Sequence, residues 1–289
     1  MVTIFTCPKR FEGHAGRIQQ NAILSWIRTG DNCEVVLIGD DDGVARFAQE
    51  HGLRHVPDVE TNKSGVPLVR SIFQKGEQSA SHPVVAYVNA DIILGNQFVE
   101  TVMKCAGCRN FLMSGQRTDL DFKELVNFED KEWHSRIVSS AMTAGKKRGI
   151  AAIDYFAYRK GFWKDMPPFA LGRFSWDNWL LYKARAMGAK LIDATSDVTA
   201  IHQNHDYQCG ISTGGQVRDE EIEENRKYAG GRIYDLLDCT HGLHGNEIKP
   251  FRDAEHVWRR AWRLRERRPR VWGAMVSWKV RFLACWLFP

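Results

Sequence analysis

Short apolar runs alternate with longer helical stretches through the first third of the chain. The runs at 2 to 6, 34 to 38, 53 to 56 and 84 to 88 have the length of strands, while 14 to 28, 43 to 51 and 67 to 79 read as helices. Strand-helix alternation with short connections predicts an α/β fold, a mostly parallel sheet with helices on both faces. Three of these strands run out into polar residues: Thr6-Cys7-Pro8-Lys9, Gly39-Asp40-Asp41-Asp42-Gly43 and Asn89-Ala90-Asp91. In such a sheet those ends share one edge, and ligands bind at that edge.

Beyond residue 110 the pattern changes. Phe111 to Gly115 predicts a further strand, and the polar stretch 122 to 148 reads as helix-rich. A strand-like segment at 153 to 158, a helix at 176 to 187 and short strands at 190 to 192 and 198 to 202 follow. Residues 203 to 250 are rich in Gly, His, Asp and Asn, which predicts loops around one charged helix at 219 to 228. No internal repeat or low-complexity segment is evident.

Composition fits a globular chain with a substantial core: 289 residues, 44% apolar and 26% charged. The net charge of +5 is unevenly placed, because residues 251 to 289 carry ten Lys/Arg against three Asp/Glu. The main body is therefore slightly acidic, and nucleic acid is not an expected partner. Met1 to Thr6 reads as a strand without a basic leader or cleavage site, so a cytoplasmic location is expected. Seven scattered cysteines give no disulfide framework, and Cys105 and Cys108 form a lone pair better read as incidental thiols than as a zinc site.

The run Tyr87-Val88-Asn89-Ala90-Asp91-Ile92-Ile93-Leu94 is apolar apart from one carboxamide and one carboxylate. Placed at a strand end, these two side chains have the oxygen atoms to hold a hard divalent cation. The alternative is a turn leading into the next helix.

Four segments together resemble the nucleotide-sugar-dependent glycosyltransferases of the GT-A fold, family 2 type, over roughly residues 2 to 207. Thr3 to Pro8 is similar to that family's opening strand and proline, and Val35 to Asp41 to its strand ending in an acid. Asn62-Lys63-Ser64-Gly65 with Arg70 is similar to the stretch lying along the nucleotide, and Asn89-Ala90-Asp91 to the metal-binding Asp-x-Asp. The resemblance implies donor contacts from Pro8, Asp40, Asn62, Gly65, Arg70 and Asn89, and Mn²⁺ or Mg²⁺ at Asp91. Asn89 departs from the motif, since an amide oxygen can ligate but brings no charge.

The resemblance also implies a division of labour in a domain spanning 1 to 250. Residues 1 to 110 would bind a nucleoside-diphosphate sugar, and 111 to 250 a glycan or lipid-linked acceptor. Asp177, in the first turn of a helix and flanked by Trp176 and Trp179, matches the family's general base, with the indoles suited to stacking on a sugar ring. The alternative for Asp177 is a carboxylate satisfying free N–H groups at a helix start. His202 and His205, in His202-Gln203-Asn204-His205-Asp206-Tyr207, are candidates for the histidine that completes the metal site in that family, or else capping and loop residues. Asp154, alone among apolar and aromatic neighbours, is expected at the acceptor site or bonded to backbone. Arg117 is expected to meet a phosphate or to pair with Asp119 or Asp121.

The expected chemistry is transfer by direct displacement with inversion, Asp177 taking the acceptor proton. Two other readings are a sugar-nucleotide nucleotidyltransferase, whose glycine-rich loop ending in Arg is not supplied by Cys7 to Gly13, and a non-catalytic nucleotide-sugar or glycan-binding module.

The tail, 251 to 289, is basic and rich in tryptophan. Val257, Trp258, Ala261 and Trp262 fall on one helical face with arginines around them, and Pro269 ends the periodicity. Trp272, Trp278, Phe282 and Trp286 follow, in a segment too short and too charged to span a bilayer comfortably. Peripheral attachment to an anionic membrane surface on the cytoplasmic side is expected. The alternative is packing of the tryptophans on the catalytic domain or on a partner subunit.

Overall fold

The first half of the chain forms β1 (Val2–Thr6), α1 (Gly13–Ile27), β2 (Cys33–Ile38), α2 (Val44–Glu50), β3 (Arg54–Val56), α3 (Val69–Ser79), β4 (Val84–Val88), β5 (Ile92–Ile93), α4 (Gln97–Cys105) and β6 (Phe111–Ser114). Then come β7 (Arg117–Leu120), α5 (Trp133–Ala144), β8 (Lys146–Lys147), β9 (Tyr155–Arg159), α6 (Trp176–Ala186), β10 (Lys190–Asp193), β11 (Ala200–Gln203), α7 (Asp219–Ala229), β12 (His241–His244), β13 (Glu247–Pro250) and α8 (Ala254–Glu266). The computed structural model describes residues 1–30, 32–205, 219–245 and 247–266. Contacts divide the chain into a body, Met1–Pro250, and a C-terminal unit from Phe251 onward.

Nine strands make one large sheet in the order β13-β12-β10-β6-β9-β4-β1-β2-β3. β1 lies parallel to β2 and β4, β2 to β3, and β10 to both β6 and β12. β9 runs antiparallel between β4 and β6, and β13 closes a hairpin on β12. β1 and β4 are buried at every position, as continuous apolar runs in a sheet covered on both faces must be.

The two faces have different cores. Ile4, Leu37, Ala86 and Met113 meet Ile23, Trp26, Phe47, Phe98 and Val102 from α1, α2 and α4 on one side. The other carries an aromatic row, Phe5, Tyr87 and Phe156, which are register partners on β1, β4 and β9. Phe73 of α3 stacks on Tyr87 with centroids 5.2 Å apart, and Trp176 of α6 meets the same ring edge-on at 5.5 Å. This contact requires a glycine beside it: a Cβ on Gly76 would lie 2.4 Å from the Phe5 ring.

A second sheet, β5-β11-β7-β8, stands apart from the first. One face is closed by α5, where Ile93, Leu120 and Ile201 pack with Trp133, Ile137 and Ala141. The expected succession of strands and helices in the first half is seen, but the later region differs from expectation in two places. The stretch 122 to 148 holds a single helix, α5, followed by the edge strand β8, because only Trp133, Ile137 and Ala141 offer a buried stripe. The stretch expected to be loops contains, besides α7, a short 3-10 turn (Leu236–Asp238) and the β12-β13 hairpin, which extends the large sheet through β10. Asp206 and Tyr207, and the tail from Arg267 through Pro269, Trp272, Trp278, Phe282 and Trp286, lie outside the described residues.

Candidate active site

Because β1, β2 and β4 are parallel neighbours, their C-terminal ends share one edge of the large sheet. The chain leaves β4 there and crosses directly into the second sheet. Asn89 N–H donates to Asp154 O at 2.9 Å, and Asp91 O accepts from Gln203 N–H at 3.2 Å. Ile92 pairs with His202 in the antiparallel β5-β11 ladder. Asp91 therefore sits at the junction of the two sheets, opposite the end of β11.

That junction gathers three potential ligands. Asp91 Oδ2 lies 3.2 Å from His205 Nε2 and 3.5 Å from His202 Nε2. One ligating atom from each of the three residues falls within 4.8 Å of the others. Burial alone would raise the Asp91 carboxyl, but the imidazoles of His202 and His205 beside it outweigh that and hold the group well below the usual carboxylate range. Its second oxygen, Oδ1, is buried with no hydrogen-bond partner among the described residues, an arrangement normally costly to a folded chain. One carboxylate and two imidazoles suit a divalent ion such as Mn²⁺, and the bare Oδ1 fits a site meant for a cation.

Buried charge continues from this point through the second sheet. His202 Nδ1 is 3.3 Å from Asp119 Oδ1, its register partner on β7. Asp119 also meets Arg117 Nε and Arg148 Nε, each at 2.9 Å. Arg117 Nη1 reaches across to Asp154, 2.9 Å from Oδ2 and 3.0 Å from Oδ1. Asp154 is 6% exposed, and its burial raises its carboxyl despite the opposing charge of Arg117. Asn89 Nδ2 donates to Asp154 Oδ1 at 2.6 Å. The chain from Asp91 to Asn89 thus closes on itself through His202, Asp119, Arg117 and Asp154.

Asp177 approaches the same region from the start of α6. Ser175, just before it, takes the left-handed φ of 88°, unusual for a residue with a side chain. Asp177 Oδ1 accepts from the Asn178 N–H at 2.8 Å. The group keeps some solvent contact, yet burial pushes its pKa up to about 7, and the charge of Asp154 adds to the rise. Tyr87 marks the common neighbourhood. Burial raises its phenol far above the ordinary value, and the charges of Cys7, Asp91, Asp154 and Asp177 all act on it.

The structure therefore joins Asn89, Asp91, Asp154, His202 and His205 in one connected cluster, and places Asp177 within electrostatic reach of Asp154. Other candidates are placed differently. Pro8 is buried directly after β1, and Asp40 is exposed after β2. Asn62 Oδ1 closes the turn containing Gly65 by accepting from the Ser64 and Val66 N–H groups at 2.9 Å, and its Nδ2 donates to Glu221. Arg70 pairs with Glu60 at 2.8 Å. Trp176 and Trp179 are 5% and 4% exposed, set in the aromatic core behind Tyr87 and against Phe169. Arg117 takes carboxylate partners, Asp119 as the sequence allowed and Asp154 in addition. Arg148 was not singled out from the sequence, and its one signal is the basic run Lys146-Lys147-Arg148 bordering β8. A separate cavity of about 210 Å³, lined by Phe11, Arg17, Arg46 and Phe47 among others, lies between α1 and α2, away from the cluster.

No family model matches the chain, and no curated protein matches it by sequence. Among solved structures, residues 1-349 of S. aureus TarS in complex with UDP-GlcNAc align with a TM-score of 0.50 at 13% identity, over 82% of this chain and 67% of that one. Glucosyl-3-phosphoglycerate synthase from Mycobacterium tuberculosis, in complex with Mn²⁺, UDP and phosphoglyceric acid, aligns with a TM-score of 0.47 at 14% identity over 87% and 86%. These structural neighbours are GT-A glycosyltransferases. The alignment with TarS gives this chain the GT-A fold.

Proposed function

We propose that the protein is a glycosyltransferase that moves a sugar from a nucleoside-diphosphate sugar to a hydroxyl of a glycan or lipid-linked acceptor, with inversion. One observation carries the reading: Asp177, its pKa raised to about 7, acts on the same Tyr87 phenol as Asp91 of the Asp91–His202–His205 group, on a GT-A sheet edge. A carboxylate of that basicity is well matched to accepting the proton of a sugar hydroxyl during attack, which contributes about 10² to 10⁴ in rate.

In this mechanism Asp177 takes the acceptor proton while the hydroxyl oxygen attacks the anomeric carbon from the face opposite the nucleoside diphosphate. Asp91, His202 and His205 would hold Mn²⁺ or Mg²⁺, the two imidazoles favouring Mn²⁺. When bound, such an ion supplies charge neutralisation to the departing diphosphate. Pro8, Asp40, Asn62, Gly65 and Arg70 are assigned to the donor side, together with Asn89. Asp154 serves the acceptor side through Arg117, with Trp176 and Trp179 as buried support beneath it. The chain from 1 to 250 would act as one catalytic domain, 1 to 110 binding donor and 111 to 250 binding acceptor.

The C-terminal unit, 251 to 289, is assigned to an anionic membrane surface on the cytoplasmic side. Its described helix α8 exposes Trp258, Trp262, Val257 and Leu264, with Arg259 and Arg263 lying over the Trp262 ring. No helix of the described residues is long and apolar enough to cross a membrane.

The deciding experiment is a donor panel with Mn²⁺, read by released nucleoside diphosphate and by the anomeric configuration of the product. Release with inversion is expected. Retention of configuration would remove the need for Asp177 as base, and absence of release with every donor would refute the transferase reading.

A further inference from the structure

The densest buried charge beyond the three potential ligands surrounds Asp119. His202 on β11 and Asp119 on β7 are register partners in a parallel ladder, so their side chains leave the same face of the second sheet. The His202 ring is 1% exposed, and its two nitrogens face opposite acids: Nδ1 is 3.3 Å from Asp119 Oδ1, and Nε2 is 3.5 Å from Asp91 Oδ2. The Nδ1 contact with Asp119 is a close charged approach and not a formed hydrogen bond.

Asp119 is itself immobilised. Arg117 holds one oxygen and Arg148 the other, so its carboxylate is fixed in place and its charge is compensated. Arg117 is further anchored by Asp154. A buried imidazole with an ionised carboxylate on Nδ1 carries its proton there and presents the Nε2 lone pair on the opposite side. His205 differs, being more exposed and lying past the end of β11.

We propose that Asp119 is the positioning residue of the cation site: it retains the proton on His202 Nδ1 and so fixes Nε2 as the ligating atom. This inference rests on the cation site of the proposed function. It divides the two histidines by role, with His202 the rigid ligand and His205 the adjustable one. It also gives Arg117 and Arg148 a purpose at the site, as the groups that keep the Asp119 carboxylate oriented.

The test begins with Mn²⁺ titrated into the wild-type protein and followed by the EPR signal of the free ion. Asp119→Asn is expected to weaken Mn²⁺ binding by about 10- to 100-fold. Combined with His202→Ala, it is expected to add nothing to the loss from His202→Ala alone. Equal affinity in wild type and Asp119→Asn, or losses that multiply in the double variant, overturns the role of Asp119. Asp119→Asn also removes a partner from two arginines, so a second readout uses the wild type only. Heteronuclear NMR of the Zn²⁺-loaded protein is expected to show His202 bound through Nε2 with a slowly exchanging Nδ1 proton. Ligation through Nδ1, or rapid exchange of its proton, overturns the inference. If the wild type binds neither ion, the cation site itself fails and this inference falls with it, an outcome distinct from tight binding that is indifferent to Asp119.

Discussion

Asn89 gives its side-chain N–H to Asp154 Oδ1 at 2.6 Å. The amide at the first position of Asn89-Ala90-Asp91 therefore has a structural partner that a carboxylate could not keep. Restoring the acid, in Asn89→Asp, would set two carboxylates against each other with one Arg117 guanidinium already bound to the first. Like charges this close cannot both ionise without cost. Asn89→Asp is expected to lower stability by about 1 to 3 kcal/mol at neutral pH. The loss should shrink as the pH falls and the pair takes up a proton, which urea unfolding at pH 5 and pH 8 would measure.

Asp177 makes a second prediction in pH. Its folded pKa is about 7 against 3.8 for the free group, so between those values the folded protein binds a proton that the unfolded chain has lost. Stability contributed by this group is therefore lost as pH rises from 4 to 7, by an amount on the order of 1 to 4 kcal/mol. Asp177→Asn should remove that slope, leaving the variant relatively more stable at pH 8 than the wild type is. Activity runs the other way. The carboxylate is the working form, so kcat/KM of the wild type is expected to rise through pH 7, and Asp177→Asn to lose about 10² to 10⁴ of kcat.

Metal binding offers a third. An ion that binds only the folded chain stabilises it by about 2.7 kcal/mol at a hundred times its Kd. Mn²⁺ is accordingly expected to raise the melting temperature of the wild type and to leave Asp91→Ala unmoved, with EDTA reversing the shift. An equal shift in both proteins would place the ion elsewhere.

Gly76 tests the fold rather than the site. Alanine favours a helix over glycine by about 1 kcal/mol. Here, however, the added methyl would sit 2.4 Å from the Phe5 ring, inside the aromatic stack that supports Tyr87. Overpacking of this kind costs about 1 to 3 kcal/mol, so Gly76→Ala should destabilise on balance, as thermal unfolding would show.

The large sheet was legible in the sequence because its strands are continuous apolar runs separated by periodic helices. Asp91 was legible for the same reason, as a charge interrupting such a run. The second sheet was legible only in β11, expected as a strand at 198 to 202. β5 and β8 have two residues each and β7 reads Arg117-Thr118-Asp119-Leu120, too short and too polar for alternation to register. The partnership of Asp119 with His202 depends on the β7-β11 register, which no local spacing carries. Arg148 joins Asp119 through the pairing of β7 with β8, which is likewise not visible in local spacing. Trp176 and Trp179 show the converse: aromatics beside a candidate base invite a sugar-stacking role, whereas the chain uses their area first to pack α6 on the sheet.

The exposed face of α8 leads to the last prediction. Trp258 is 66% exposed and Trp262 40%, and their rings lie nearly parallel on one side of the helix with arginines alongside. Each arginine near an anionic surface contributes about 1 kcal/mol, and that part is screened by salt. Burying about 100 Å² of an indole in the headgroup region contributes about 2 to 3 kcal/mol, and salt leaves it intact. Trp258→Ala with Trp262→Ala in the full chain should therefore weaken sedimentation with phosphatidylserine vesicles more than removal of either arginine does. The wild type should retain part of its binding at 0.5 M salt, where the double variant loses it. Vesicle binding equal in wild type and double variant would count against a membrane role for α8 and in favour of a protein partner for this face.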